Sequence, residues 1–137
     1  MTRIEAKVAN EFEAGTDCTV SLKLKNRGTT ETCHTLVLDG PGNSWARGDR
    51  EVYNFESNPQ CNTHKAQCTV KCDNFRPGEN LQFKFHLSSS CIDHMLLSWV
   101  RVYFGRKYFD WSGRHWFNPS SNWMNFDYMR IDDSEGK

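Results

Sequence analysis

Three stretches of this chain alternate apolar and polar residues with a period of two, and that pattern constrains the fold more than any other feature. Cys18, Val20, Leu22 and Leu24 alternate with Thr19, Ser21, Lys23 and Lys25. Leu81, Phe83, Phe85 and Leu87 alternate with Gln82, Lys84, His86 and Ser88, and Val100, Val102 and Phe104 with Arg101 and Tyr103. Successive side chains of a strand point to opposite faces, so each run predicts a half-buried strand. Ile4, Ala6 and Val8 predict a weaker first strand. Turn-forming clusters fall between the runs at 14–17, 26–28, 39–43 and 76–80, and helical spacing is nowhere sustained for three turns. Short strands separated by regular turn signals predict an all-β, antiparallel sandwich or barrel.

The chain has 137 residues, which fits one domain. Only 37% of them are hydrophobic, so the core must come from a few large side chains, and 18 aromatics supply them. Covalent staples would add to it. Six cysteines, Cys18, Cys33, Cys61, Cys68, Cys72 and Cys91, predict three disulfides and an oxidising, extracellular setting. No apolar block follows Met1 between Thr2 and Ala14, so secretion implies a mature form behind an added methionine. Six cysteines allow 15 pairings, and the connectivity stays open. Lys+Arg and Asp+Glu are 17 each, which removes the basic excess expected of a nucleic-acid binder. The longest apolar run, Met95-Leu96-Leu97, is far short of the roughly 20 residues of a membrane-spanning helix.

Two regions depart from the strand pattern. Residues 56–80 hold three cysteines and little alternation, and predict a stapled excursion. Residues 118–137 form a C-terminal extension ending in the polar run Asp132-Asp133-Ser134-Glu135-Gly136-Lys137, expected to fray at its end.

Four segments in order carry a family resemblance. Ala14-Gly15-Thr16-Asp17 runs straight into an alternating strand; Trp45-Ala46-Arg47-Gly48 leads into the aromatic-rich Val52-Tyr53-Asn54-Phe55. Met95-Leu96-Leu97-Ser98-Trp99-Val100-Arg101-Val102 and Lys107 to Phe117, with Trp116 near its end, complete the set. Together they resemble the PLAT domain, also called the lipoxygenase homology or LH2 domain, of lipoxygenases and animal lipases, over residues 1–117. Met95 stands where that family usually has tryptophan. The resemblance implies an antiparallel β-sandwich of two four-stranded sheets. The cysteines are not a general feature of the family, and the 118–137 extension matches none of its motifs.

The resemblance also points to sites. Several relatives bind calcium through loop oxygens, and such a site needs six to eight hard ligands. Here Asp17 is followed by Cys18, and Asn43 is the one oxygen donor left ahead of Trp45-Ala46, so Asp17 and Asn43 are weak calcium candidates and no metal or cofactor is expected. Trp45, with Asn43 and Arg47 beside it, lies next to the turn Gly40-Pro41-Gly42, where relatives expose aromatics to lipid headgroups. It is the candidate anchor for a ligand or membrane, against the alternative of a packed side chain. Trp111, Trp116, Phe117, Trp123 and Phe126 form a second aromatic cluster, read as core packing or docking of the extension.

Other chemistries have less support. Cys61, His64, Cys68 and Cys72 could form a zinc site, but the spacing matches no common knuckle, and Cys18, Cys33 and Cys91 would be left as odd thiols. Arg47-Gly48-Asp49 spells an integrin-recognition tripeptide, yet its Arg-Gly coincides with the family's own turn. The chain carries neither a Gly-x-Ser-x-Gly elbow nor a His-Glu-x-x-His helix, and its five histidines are scattered. The expectation is a secreted, non-enzymatic PLAT-like module that engages a protein partner or a lipid or membrane surface through its loops. The alternatives are a calcium-dependent membrane-targeting domain and a zinc-binding intracellular module.

Overall fold

The computed structural model describes residues 2–28, 34–38, 45–55, 67–70, 80–88, 93–118 and 122–131. Ten strands follow in chain order: β1 (Thr2–Val8), β2 (Val20–Asn26), β3 (His34–Leu38), β4 (Arg50–Phe55), β5 (Gln67–Val70), β6 (Leu81–Leu87), β7 (Met95–Phe104), β8 (Lys107–Phe117), β9 (Met124–Asn125) and β10 (Tyr128–Ile131). They form two antiparallel sheets, β10-β8-β7-β1-β4 and β5-β3-β2-β6-β9.

The expected two four-stranded sheets are present as β8-β7-β1-β4 and β5-β3-β2-β6. Each gains a fifth strand from the C-terminal extension. The extension contributes β9 beside β6 and β10 beside β8, so it belongs to both sheets at once. Phe126 between the two strands explains the arrangement. Its ring lies 4.5 Å from Phe83 of one sheet and 5.7 Å from Phe109 of the other. Trp111, Phe117, Phe83 and Phe85 continue this aromatic block with edge-to-face and tilted contacts. Residues 132–137, where fraying was expected, lie outside the described residues, as does most of the 56–80 excursion.

Burial follows the alternation where a strand is regular. In β2 and β6 the apolar set Val20, Leu22, Leu24, Leu81, Phe83, Phe85 and Leu87 is buried, and the polar residues between them face outward. β7 departs from it because the pairing register shifts between Leu97 and Trp99, with a matching shift between Lys7 and Val8 of β1. A bulge adds one residue to one strand and turns the following side chains over. Ahead of the bulge Met95, Leu96 and Leu97 are all buried, and the β1–β2 loop bonds to Leu96 through Ala9 and Ala14.

The outer face of the β1-containing sheet is built from charge pairs. Glu5, itself buried, meets Arg3 at 3.5 Å and Arg50. Asp110, also buried, accepts from Arg101 at 3.0 Å and from the Tyr128 hydroxyl at 2.9 Å. Arg101, Asp110 and Tyr128 are consecutive cross-strand partners on β7, β8 and β10. The Asp110 hydrogen bond raises the Tyr128 phenol above its ordinary pKa. Cys18 is disulfide-bonded, and its partner lies outside the residues whose side chains are described. The three-bridge expectation rests otherwise on cysteines outside that set.

Candidate binding site at the loop end

The β1–β2 loop (9–19), the described end of the β3–β4 connection (45–49) and Asp93-His94 ahead of β7 meet at one end of the sandwich. Backbone bonds tie them together. Thr16 N–H donates to the Trp45 carbonyl at 3.0 Å, Leu96 N–H to Ala14 at 2.8 Å, Ala9 N–H to Leu96 at 2.9 Å, and Gly48 N–H to Ala9 at 3.2 Å. Gly15 is required here by space. A Cβ on it would lie 2.8 Å from both the Arg47 nitrogen and the Trp45 oxygen. The Gly-Thr-Asp turn therefore holds the two loops in backbone contact.

Trp45 needs a correction. It is 2% exposed, its ring stacks on Tyr53 at 6.1 Å, and it meets Phe85 edge-on. Its indole N–H donates to the Leu38 carbonyl at 3.0 Å. The side chain is a core peg that fastens the loop to the sandwich, and no face of it is open to a ligand. Its backbone sits at φ 61°, in the left-handed region that a bulky residue occupies only when its surroundings hold it there.

The exposed aromatic at this end is Phe12, at 78% exposure. It sits at the tip of the β1–β2 loop between Glu11 and Glu13, and Glu13 also has a left-handed backbone, at φ 62°. Its mounting is firm. Arg114 of β8 grips the Glu11 carboxylate with two bonds of 2.9 and 3.0 Å, and hydrogen bonding to Arg114 holds the Glu11 carboxyl below its ordinary pKa. Arg47 donates to the Asn10 side chain at 3.1 Å. The reading of the sequence missed Phe12. The available signal was a lone aromatic inside the polar run Asn10-Glu11-Phe12-Glu13, just after a strand.

Arg47 and Asp17 do come together. With Gly15, Thr16, Ala46 and Asp93 they line an open pocket of about 160 Å³. Asp93 was not foreseen either. Two carboxylates suggest a cation, but the Arg47 guanidinium shares the same lining and opposes one. Among the described residues no group of three His, Cys, Asp or Glu side chains is placed to hold a metal. Among the described residues Asp17 and Asp93, with Arg47 beside them, make a poor donor set for calcium, which takes six to eight oxygens. Asn43, the other calcium candidate, lies outside the described residues, and so do Cys61, His64 and Cys72 of the zinc reading, while Cys68 is described in its backbone alone.

The Arg47-Gly48-Asp49 tripeptide is folded back on its own turn. The Asp49 carboxylate accepts from Ala46 N–H at 3.1 Å, the Gly48 carbonyl accepts from the Lys7 ammonium, and Gly48 takes φ 79°. Its aspartate is engaged inside the loop.

No protein-family model and no curated protein sequence matches the chain. Solved structures do. The alpha toxin from Clostridium absonum superposes with a TM-score of 0.60 at 19% identity, over 92% of this chain and 30% of that one. Coral 8R-lipoxygenase, described as activated by calcium through a C2-like domain, superposes with a TM-score of 0.60 at 14% identity, over 91% of this chain and 16% of that one. A second lipoxygenase structure gives 0.59 at 14% identity over the same shares. The shared fold is that of a PLAT/LH2-type, C2-like domain. The chain spans less than a third of the length of these proteins.

Proposed function

We propose that this chain is a secreted, disulfide-stapled, non-catalytic module that attaches to a lipid or membrane surface by its loop end, with Phe12 as the inserting side chain. The observation that carries the reading is a 78%-exposed phenyl ring at the tip of a loop tied to β8 by the Arg114–Glu11 pair. A lipid interface gains by burying such a ring and does so without needing a shaped partner. The C2-like fold, shared with domains of larger lipoxygenases and a toxin, supports the same reading by analogy. The disulfide at Cys18 supports an oxidising compartment.

Magnitudes limit what Phe12 can do alone. Full burial of one phenyl contributes about 1.5–3 kcal/mol, roughly 10- to 150-fold in partitioning. Sedimentation with phosphatidylcholine vesicles tests this. Phe12→Ala should lower binding about tenfold or more while leaving the melting temperature within a degree or two, since the ring packs on little. Binding by the parent should persist in chelator, because the Asp17–Asp93 pocket also contains Arg47. Unchanged binding by Phe12→Ala would remove the loop end from the reading. Loss of parent binding in chelator would restore the calcium-dependent alternative.

A further inference from the structure

Net charge is zero over the whole chain, yet the two sheets divide it unequally. The β1-containing sheet carries Glu5, Glu51 and Asp110 among its arginines and lysines, and its buried carboxylates are ion-paired. The five strands of the other sheet, β5, β3, β2, β6 and β9, contain no Asp or Glu. Their outward side chains in β2 and β6 are Ser21, Lys23, Lys25, Gln82, Lys84 and His86.

The lysines are adjacent. Lys23 stands directly opposite Lys84 in the β2–β6 register, and Lys25 is opposite Gln82. Like charges directly across an antiparallel pair repel and destabilise the sheet. Among the described residues no carboxylate forms an ion pair with Lys23 or Lys84. An aromatic ring meets two of the lysines. Trp123, half-buried just ahead of β9, has the Lys25 ammonium 4.8 Å and the Lys84 ammonium 5.9 Å from its centroid. Within β2 and β6 every formal charge is positive, and such a strand pair, flanked by an indole, complements a planar array of phosphates. It is also within reach of the loop end. Lys23 is three residues from Val20, where the β1–β2 loop enters the sheet, which is about 10 Å along the strand.

We propose that the outer face of the β2–β6 pair, centred on the opposed Lys23 and Lys84 with Trp123 at its margin, is an anionic-phospholipid binding face. It rests on the lipid-surface reading and deepens it. Phe12, between Glu11 and Glu13, supplies apolar insertion and no attraction to negative headgroups, and the lysine face supplies the preference for negatively charged bilayers. A lysine near an anionic leaflet contributes roughly fivefold in binding, so two give about 25-fold.

The test uses the full chain and two vesicle compositions, phosphatidylcholine alone and phosphatidylcholine with 30% phosphatidylserine. The parent should bind the anionic vesicles about 25-fold more tightly, and 0.5 M NaCl should remove most of that gain by screening. Lys23→Gln/Lys84→Gln should lose most of that gain and keep its binding to phosphatidylcholine. A thermal melt checks the fold, and the double variant should be at least as stable as the parent because a cross-strand repulsion is gone. A parent that binds both vesicles equally overturns the lysine face while leaving the Phe12 reading standing. So does a double variant that keeps the full anionic gain. A parent that binds neither composition overturns both. Binding to a sulfated polysaccharide with no preference for anionic vesicles overturns the lipid assignment of this face.

Discussion

Replacing Trp45 with alanine separates a structural peg from a binding anchor, because the two roles predict opposite readouts. The indole is 2% exposed, stacks on Tyr53, meets Phe85 edge-on and donates to the Leu38 carbonyl. Truncating a buried tryptophan costs about 3–5 kcal/mol. The upper part of that range is expected, since the Leu38 carbonyl also loses its donor. For a chain of this length the loss corresponds to a fall of roughly 10–20 °C in melting temperature. Trp45→Phe isolates the hydrogen bond: most of the apolar volume stays, and the unpaired carbonyl costs about 1–3 kcal/mol. Circular dichroism melts and urea titrations give both values, and vesicle sedimentation below the transition gives the binding of the folded fraction. That binding should be unchanged. A Trp45→Ala variant that loses less than about 1 kcal/mol of stability but binds vesicles tenfold more weakly would refute the packing argument and return Trp45 to the surface.

Further outcomes follow from other contacts. Gly15→Ala forces a Cβ to 2.8 Å from two backbone atoms of the neighbouring loop, so it should cost about 1–3 kcal/mol in a denaturant titration even though alanine is small. Burial raises the Glu51 carboxyl above its ordinary pKa against the opposing Tyr53 hydrogen bond. The folded state therefore holds that proton more tightly than the unfolded chain, and its contribution, present at acid pH, is lost as pH rises from near 4.5 through the folded pKa. Glu51→Gln should flatten this decline, with its largest advantage over the parent at neutral pH, measured as melting temperature against pH. Mass spectrometry of the native protein should show about six hydrogens fewer than the reduced chain and no free thiol. Stoichiometric zinc with several reactive thiols would contradict that expectation.

The architecture was legible where a strand is regular and half-buried. In β2 and β6 the period-two pattern and the burial pattern coincide residue for residue. It was illegible where one backbone feature re-aims side chains. The β7 bulge shifts the pairing register after Leu97, and the left-handed backbone at Trp45 turns a loop indole into the core. Neither bulges nor positive φ at a tryptophan leave a mark in hydrophobic periodicity. The strands of the extension were missed because β9 is two residues long and β10 is mostly exposed on both faces. They form by docking of Phe126 rather than from a pattern of their own. The lysine face was hidden for another reason. A balanced total charge averages over two sheets, and only the strand order shows that the carboxylates lie in one of them.

The placement of β9 and β10 also bears on how the molecule avoids its own kind. A strand at the margin of a sheet offers unpaired N–H and C=O groups to any other chain, and long apolar margins template aggregation. β6, with the sequence Leu-Gln-Phe-Lys-Phe-His-Leu, and the eleven-residue β8 would be two such margins. The extension covers part of each. β9 pairs with Gln82 and Phe83, and β10 with Lys107 to Asp110. Where β10 stops short, a side chain continues the work: the Asp127 carboxylate accepts the Ser112 N–H at 2.9 Å, while Asp127 donates its own N–H to Asp110. One short segment thus shields part of two β margins at once, and the hydrogen-bonding groups of those stretches are satisfied within the chain.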